Sequence, residues 1–182
     1  MGFHTFDPTD AERLKTSDRF RLCSREELLG GLGADAHLLD LGSDTGFYNT
    51  ELAPFFGHVS AVDIQPAMYE LFRQKRVPDN VDLVESSTDS PPVADASVDA
   101  AVSTMTAHEI PLAESLTELS RVLRPDSPVV FVDWSRAGRG ESGPPVDERH
   151  PMSAVTAALS EAGFSVERCV ERGETYFIEA SA

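Results

Sequence analysis

Apolar positions along the chain fall into short continuous runs alternating with stretches of helical spacing. Ser24-Arg25-Glu26-Glu27 is a capping box ahead of Leu28, Leu29 and Leu32, so a helix is predicted to start there. Gly30, Gly31 and Gly33 are expected to stop it. Ala36 to Leu41 is an apolar run suited to a strand covered on both faces. Gly46 to Phe56 reads as a helix, and His58 to Ile64 as the second strand. Gln65 to Val77 carries Met68, Leu71 and Phe72 at helical spacing, and "NVDLVES" and "VDAAVS" read as strands three and four. Leu112, Leu116, Leu119, Val122 and Leu123 mark a helix before "SPVVFVDW", the fifth strand. Met152 to Ala162 is a further helix, and "FSVERCV" and "TYFIEAS" pair as a hairpin around Arg172-Gly173.

This alternation predicts an α/β fold: a Rossmann-like, doubly wound sheet of about seven strands, mostly parallel with a C-terminal antiparallel hairpin and helices on both faces. With 182 residues and 41% hydrophobic content the chain is read as one domain, residues 1–182. Its first 35 residues form an N-terminal helical segment, and the polar loop 135–150 is a lid over the site. In such sheets ligands bind at the carboxyl ends of the strands.

Charge narrows the possible partners. Thirty-one acidic residues against 15 basic give −16, which repels nucleic acid and anionic lipid. Only Lys15 and Lys75 are lysines. This acidic, lysine-poor composition suggests a halophilic protein, since at 1 M salt the Debye length falls to roughly 3 Å and self-repulsion is screened. No apolar run is long enough to span a membrane, no secretory pattern opens the chain, and "MGFHTF" fails the myristoylation pattern at Phe6. A soluble, cytoplasmic protein is expected. Cys23 and Cys169 form no C-x-x-C pair, and His4, His37, His58 and His150 show no ligand spacing, so neither a disulfide nor a metal site is expected.

Chemistry concentrates at "LLDLGSDTGFY". A strand that ends in a glycine-bracketed turn and runs into a helix gathers backbone N–H groups at the positive helix end. Gly42 and Gly46 allow a ligand close to the backbone. Asp63 closes the second strand and can accept hydrogen bonds from ribose hydroxyls. A nucleoside-bearing cofactor follows. Positions 42, 44 and 47 read Gly, Asp, Phe where a dinucleotide fingerprint needs three glycines, and the P-loop pattern is absent, which disfavours NAD and ATP.

With these motifs in hand, the chain resembles the class I S-adenosylmethionine-dependent methyltransferases, in particular their small single-domain, ubiquinone-biosynthesis-like members (methyltransferase type 11). "LLDLGSDTGFY" looks like the family's D-x-G-x-G-x-G loop and "AVDI" like its acidic ribose strand. "PPVADASVDAAVS" resembles its L-P-F-P-D-x-S-F-D-x-V segment. "LTELSRVLRPDSPVVFVDW" resembles E-x-x-R-V-L-K-P-G-G and the strand that follows it. "FDPTDAERL" and "GPPVDER" are similar to stretches of a subgroup whose substrates are mostly unassigned. Asp44 departs from the pattern, standing where the loop has its second glycine. Aspartate tolerates a left-handed backbone, and its carboxylate either faces the cofactor or points to solvent.

The resemblance implies S-adenosyl-L-methionine as cofactor, held by Asp40, Gly42, Ser43, Asp44, Thr45, Gly46, Asp63, Ile64, Met68, Ser86, Ser87, Ser103 and Thr104. It places the substrate beyond strand four. There His108 and Glu109 in "TAHEIP" are the catalytic candidates, His108 being either a general base or a packing and capping residue. Trp134, Arg149 and Tyr176 are the substrate-lining candidates, and Asp133 could line the same pocket. The expected activity is methyl transfer to an unidentified small molecule. The alternatives are a diverged, non-catalytic binding or regulatory module, for which Asp44 speaks, and a nucleotide-dependent oxidoreductase, which the missing third glycine opposes.

Overall fold

The computed structural model describes residues 17–33 and 36–182. The remainder of the N-terminal segment, with "FDPTDAERL", lies outside the described residues. A 3-10 turn, Ser17–Arg21, leads into α1 (Arg25–Leu32). The capping box forms as expected. Ser24 Oγ accepts the Glu27 N–H at 3.2 Å and Glu27 Oε2 accepts the Ser24 N–H at 3.2 Å, satisfying two N–H groups that the helix start leaves open.

The helix does not stop at Gly30. It runs through Gly31 to Leu32 and ends at Gly33, whose φ is +76°. A Cβ on Gly31 would meet Val130 Cγ2 at 2.8 Å, so the missing side chain lets α1 lie flat on the sheet. Propensity predicts a break there; packing against the sheet overrides it.

The sheet is built from β1 (His37–Leu41), β2 (His58–Asp63), β3 (Val81–Glu85), β4 (Ala100–Thr104), β5 (Pro128–Trp134), β6 (Ser165–Glu171) and β7 (Thr175–Ser181). Their order is β3-β2-β1-β4-β5-β7-β6. The first five run parallel, and β7 is antiparallel to both β5 and β6. The crossover helices are α2 (Phe47–Leu52), α3 (Pro66–Arg73), α4 (Leu112–Val122) and α5 (Met152–Glu161). The helix expected over 46–56 gives way after Leu52 to a 3-10 turn, Ala53–Phe55, because Pro54 cannot donate the hydrogen bond that would continue it.

Alternate residues of β1 explain the two layers. Leu38 joins Leu28, Leu52 and Phe72 on the face covered by α1, α2 and α3. Leu39 and Leu41 join Leu116, Leu119, Val155 and Leu159 on the face covered by α4 and α5. Both sides of the strand are therefore apolar, and its only charged residue, Asp40, comes near the carboxyl end. Cys23 is buried and Cys169 exposed, both as free thiols. Among the described residues no helix is long and apolar enough to cross a membrane.

Candidate active site

The cleft is assembled where β1, β2 and β4 end. The Gly42 and Ser43 N–H groups both donate to the Val62 carbonyl at 2.9 Å, which bends the chain across the end of β2. Gly42, Asp44 and Gly46 have φ of +79°, +52° and +73°. Asp44 thus adopts the left-handed conformation that glycine would take without cost, and its short polar side chain makes this tolerable. The space above the two glycines is occupied from within the protein: a Cβ on Gly42 would collide with Thr106, and one on Gly46 with the Phe72 ring. Close approach to the loop is real, but these side chains make it.

Asp63 fastens the loop to β2. Its Oδ2 accepts the Asp44 N–H and its Oδ1 the Gln65 N–H, each at 2.8 Å. Each oxygen keeps a further lone pair for a ligand hydroxyl. Burial holds this carboxyl above its ordinary pKa despite those N–H groups.

Asp44 Oδ1 accepts the N–H of Thr45, and its Oδ2 lies 3.5 Å from Arg19 Nη1. The Arg19 guanidinium sits 5.4 Å from both the Phe47 and Tyr48 rings. The Tyr48 hydroxyl donates to the Arg19 and Cys23 carbonyls, so the turn before α1 is docked on α2 by stacking and hydrogen bonds together. Burial pushes Asp44 up to about 6, against the opposing pull of Arg19.

Asp40 is 2% exposed. Its Oδ2 accepts from Asn49 Nδ2 at 2.8 Å. Its Oδ1, together with Asn49 Oδ1 and Ser43 Oγ, is buried without a hydrogen-bond partner among the described residues. Burial drives the Asp40 carboxyl up to about 7, because only the Asn49 amide and the distant Arg19 charge favour ionisation.

The turn after β4 crosses over this loop. Met105, at φ +58°, is a non-glycine residue in a strained backbone conformation. Thr106 Oγ1 donates to the Gly42 carbonyl at 3.2 Å, and the Glu109 N–H donates to the Thr106 carbonyl at 2.8 Å. Asp133 at the end of β5 is fully buried. It accepts the backbone N–H groups of His108 (2.8 Å) and Trp134 (2.7 Å), and His108 Nδ1 lies 2.9 Å from its Oδ1. His108 Nε2 lies 3.6 Å from Glu109 Oε1. Burial lowers the imidazole pKa, but the hydrogen bonds and charges of Asp133 and Glu109 outweigh it and hold the ring up at about 10.

A methyltransferase domain family model matches residues 39–131, which include the glycine loop, the ribose strand and the turn after β4. The chain belongs to this family. It is 31% identical to a solved S-adenosylmethionine-dependent methyltransferase from Aquifex aeolicus, with a TM-score of 0.88 over 97% of this chain and 99% of that one. A methyltransferase from Haloferax volcanii, solved in complex with the activator Trm112, shares the fold at 17% identity, with a TM-score of 0.81 over 96% and 95% of the two chains. The biotin biosynthesis bifunctional protein BioHC of Cellvibrio japonicus is 36% identical over 91 residues, 48% of this chain but only 18% of that protein. The cofactor of this methyltransferase domain is S-adenosylmethionine.

The residues present fit that cofactor. Its amino-acid end carries an ammonium group, and the unpartnered oxygens of Asp40, Asn49 and Ser43 are acceptors buried at the end of β1, where an unmet acceptor is costly. Ile64 is 57% exposed beside Asp63, a flat apolar surface beside a ribose acceptor. Ser86 donates its backbone N–H to the Asp63 carbonyl at 3.0 Å and its hydroxyl to the Ser87 and Ser90 carbonyls, so its oxygen remains an acceptor at the rim. Ser103 Oγ donates to the Leu41 carbonyl at 3.1 Å, tying β4 to β1, and Thr104 is buried beside it. Met68 is buried in α3.

The three substrate-lining candidates are not brought together at the methyltransferase cleft. Arg149 is fully buried and spends its donors on Pro144, Ser135, Ser142 and Glu174. Its guanidinium lies 5.4 Å from the Trp134 ring, and a Cβ on Gly143 would collide with that ring. Arg149 and Trp134 are thus the inside of the 135–150 loop. Tyr176 is buried in the core against β5. Polarity in a Gly- and Pro-rich stretch suggested a ligand-facing arginine; the backbone carbonyls of that same loop compete for it and win. Arg19, Asn49 and Thr106 are the cleft residues that sequence reasoning missed. Asn49 alone left a signal, as an amide on the first turn of the helix that follows the glycine loop.

Proposed function

We propose that this domain transfers the methyl group of S-adenosylmethionine to a small molecule bound over the turn after β4. The observation that carries this is the set of three buried acceptors, Asp40 Oδ1, Ser43 Oγ and Asn49 Oδ1, that have no partner among the described residues and lie beside the Asp63 carboxylate. They match the ammonium and ribose ends of the cofactor. Asp40, Ser43 and Asn49 would hold the amino group, Asp63 the ribose, Ile64 and Ser86 with Ser87 the purine, and Ser103 and Thr104 would flank the methionine chain.

When bound, the cofactor supplies a methyl carbon already activated by its sulfonium. The protein therefore contributes mainly alignment, worth up to roughly 7–11 kcal/mol in intramolecular models. Where the acceptor arrives protonated a base is needed as well, and Glu109 stands nearest that task. Of the two readings of His108, a base or a packing residue, we favour the second, since its Nδ1 lies 2.9 Å from Asp133 Oδ1 and its Nε2 3.6 Å from Glu109 Oε1.

Net charge supports the remaining parts of the reading. At −16 the surface disfavours a polyanionic substrate. The same charge with so few lysines suits a cytoplasm rich in salt. Calorimetry with S-adenosylhomocysteine tests the function directly: the wild-type protein binds it, and Asp63→Ala weakens binding by about 1–3 kcal/mol through loss of a charged acceptor. Absence of binding to the wild type would refute the proposal.

A further inference from the structure

Two carboxylates and one imidazole form a chain from the core to the cleft. Asp133 stands at its buried end, His108 in the middle with 6% of its side chain exposed, and Glu109 at the open end with 22% exposed. Asp133 grips the turn twice, through the His108 backbone N–H and through its ring. Thr106 ties the same turn to Gly42 in the cofactor loop, and the negative charge of Glu109 reaches Asp63, helping to raise its pKa. The turn that carries Glu109 is thus tied to the cofactor loop, and Glu109 is its more exposed end.

We propose that Asp133 and His108 are positioning residues that hold the Glu109 carboxylate at the acceptor side of the cleft, and that the acceptor it selects is a protonatable nitrogen. The inference rests on the methyltransferase reading above.

The chemistry of the chain leads there. His108 Nδ1 is held by Asp133 and its Nε2 faces Glu109, and the two carboxylates together raise the ring's pKa, so the ring orients and Glu109 receives. The groups around His108 are Asp133 from β5, Glu109 from its own turn, and His150 ahead of α5. The buried Tyr176 hydroxyl on β7 and Arg136 act at one remove, through Asp133 and His150. The carboxylates outnumber the cations near them, Arg136 here and Arg19 and Lys75 at the glycine loop. Asp40, Asp44, Asp63 and Glu109 together make the cleft repel an anionic acceptor such as a carboxylate or phosphate. A carboxylate is too weak a base to ionise an alcohol. It can take the proton from a nitrogen that has begun to bond. The nitrogen lone pair forms the new N–C bond, the C–S bond breaks with its electron pair going to sulfur to leave S-adenosylhomocysteine, and the nitrogen's proton passes to a Glu109 oxygen.

Sinefungin, a cofactor analogue with an ammonium where the transferable methyl stands, tests this without knowledge of the substrate. By calorimetry the wild-type protein should bind sinefungin about tenfold or more tightly than S-adenosylhomocysteine, since a desolvated charge pair forms only with the former. Glu109→Gln should abolish that preference and Asp133→Asn should reduce it to about threefold or less, while affinity for S-adenosylhomocysteine stays within about threefold in both. The His108 ring, followed by NMR, should remain charged from pH 6 to pH 9 in the wild type, in keeping with a pKa of about 10, and titrate lower in Asp133→Asn. Equal affinities for the two nucleosides in wild type and Glu109→Gln would overturn the proposal, as would a wild-type ring that titrates near 6.5. If neither nucleoside binds the wild type, the cofactor reading itself fails and takes the inference with it.

Discussion

The ends of β1 and β5 lie on the same edge of the sheet, each with a buried aspartate, and the two are finished in opposite ways. At β5 the Asp133 carboxylate meets two backbone N–H groups and an imidazole. At β1 the Asp40 carboxylate meets one amide and leaves an oxygen unpartnered, as do its neighbours Ser43 and Asn49. Several unpartnered acceptors buried side by side are what a ligand can complete, whereas burial with every partner present fixes a geometry. On the functional reading proposed above, the unfinished aspartate belongs to the cofactor and the finished one to the scaffold around it.

The contrast can be broken most severely at Asp133. Asp133→Ala leaves a buried imidazolium without its main counter-charge and should destabilise the fold by about 3–5 kcal/mol, read as a shift of the urea midpoint. Asp40→Ala should cost far less in the cofactor-free protein, because the removed group is itself poorly satisfied. Comparable losses at the two positions would erase the distinction.

Next in size is the pH dependence of stability. The folded-state pKa of His108, about 10, lies above its unfolded value. Its stabilising contribution is therefore complete below about pH 6.5 and is lost as pH rises towards 10. Urea titrations between pH 6.5 and 10 should show this decline in the wild type and a flatter profile in His108→Gln.

Asp40 gives the opposite linkage through the ligand. Its carboxyl sits at about 7 in the cofactor-free protein, and an ammonium ligand favours the ionised form, so binding releases a proton below that pH. Affinity for S-adenosylhomocysteine should rise by up to about tenfold per pH unit towards 7 and then level off. Calorimetry in buffers of different ionisation enthalpy reads the proton directly.

Much of this molecule was legible in the chain because its signals are local. The strand runs, the capping box at Ser24, the glycine turn and Asp63 each depend on residues close in sequence. Asp44 was also read correctly as a residue able to take a left-handed backbone, φ +52°. The pairing of Asp133 with His108 joins residues 25 positions apart, and the Arg19 to Asp44 contact depends on how a 3-10 turn docks on Tyr48. Such contacts are set by packing, which periodicity does not encode. Arg149 was misplaced for the same reason: a buried arginine and a ligand-facing one are identical in sequence.

Two smaller effects sharpen the picture of the β1 end. Asp44→Gly should change S-adenosylhomocysteine affinity by no more than about tenfold, or 1.4 kcal/mol, because relief of left-handed strain offsets loss of a carboxylate already occupied by Arg19 and Thr45. An affinity gained only in the glycine variant would mean that the aspartate blocks the site. The salt effect is spread most thinly over the molecule: the thermal midpoint should climb by a few degrees between 0.1 M and 2 M KCl as the −16 charge is screened. A flat midpoint would detach the acidic surface from any adaptation to salt.

The outermost strand at one margin of the sheet, β6, spells Ser-Val-Glu-Arg-Cys-Val-Glu and carries a register break between Val166 and Arg168. An unpaired strand is an invitation to any other extended chain, including a second copy of itself. Here Glu167, Arg168 and the irregularity interrupt the flat ladder such a guest would need. On the opposite margin β3 exposes Asp82 and Glu85, so two copies meeting there would bring like charges together. Repulsion between copies thus comes not only from net charge but from the two rims of the sheet, neither of which can be extended cheaply.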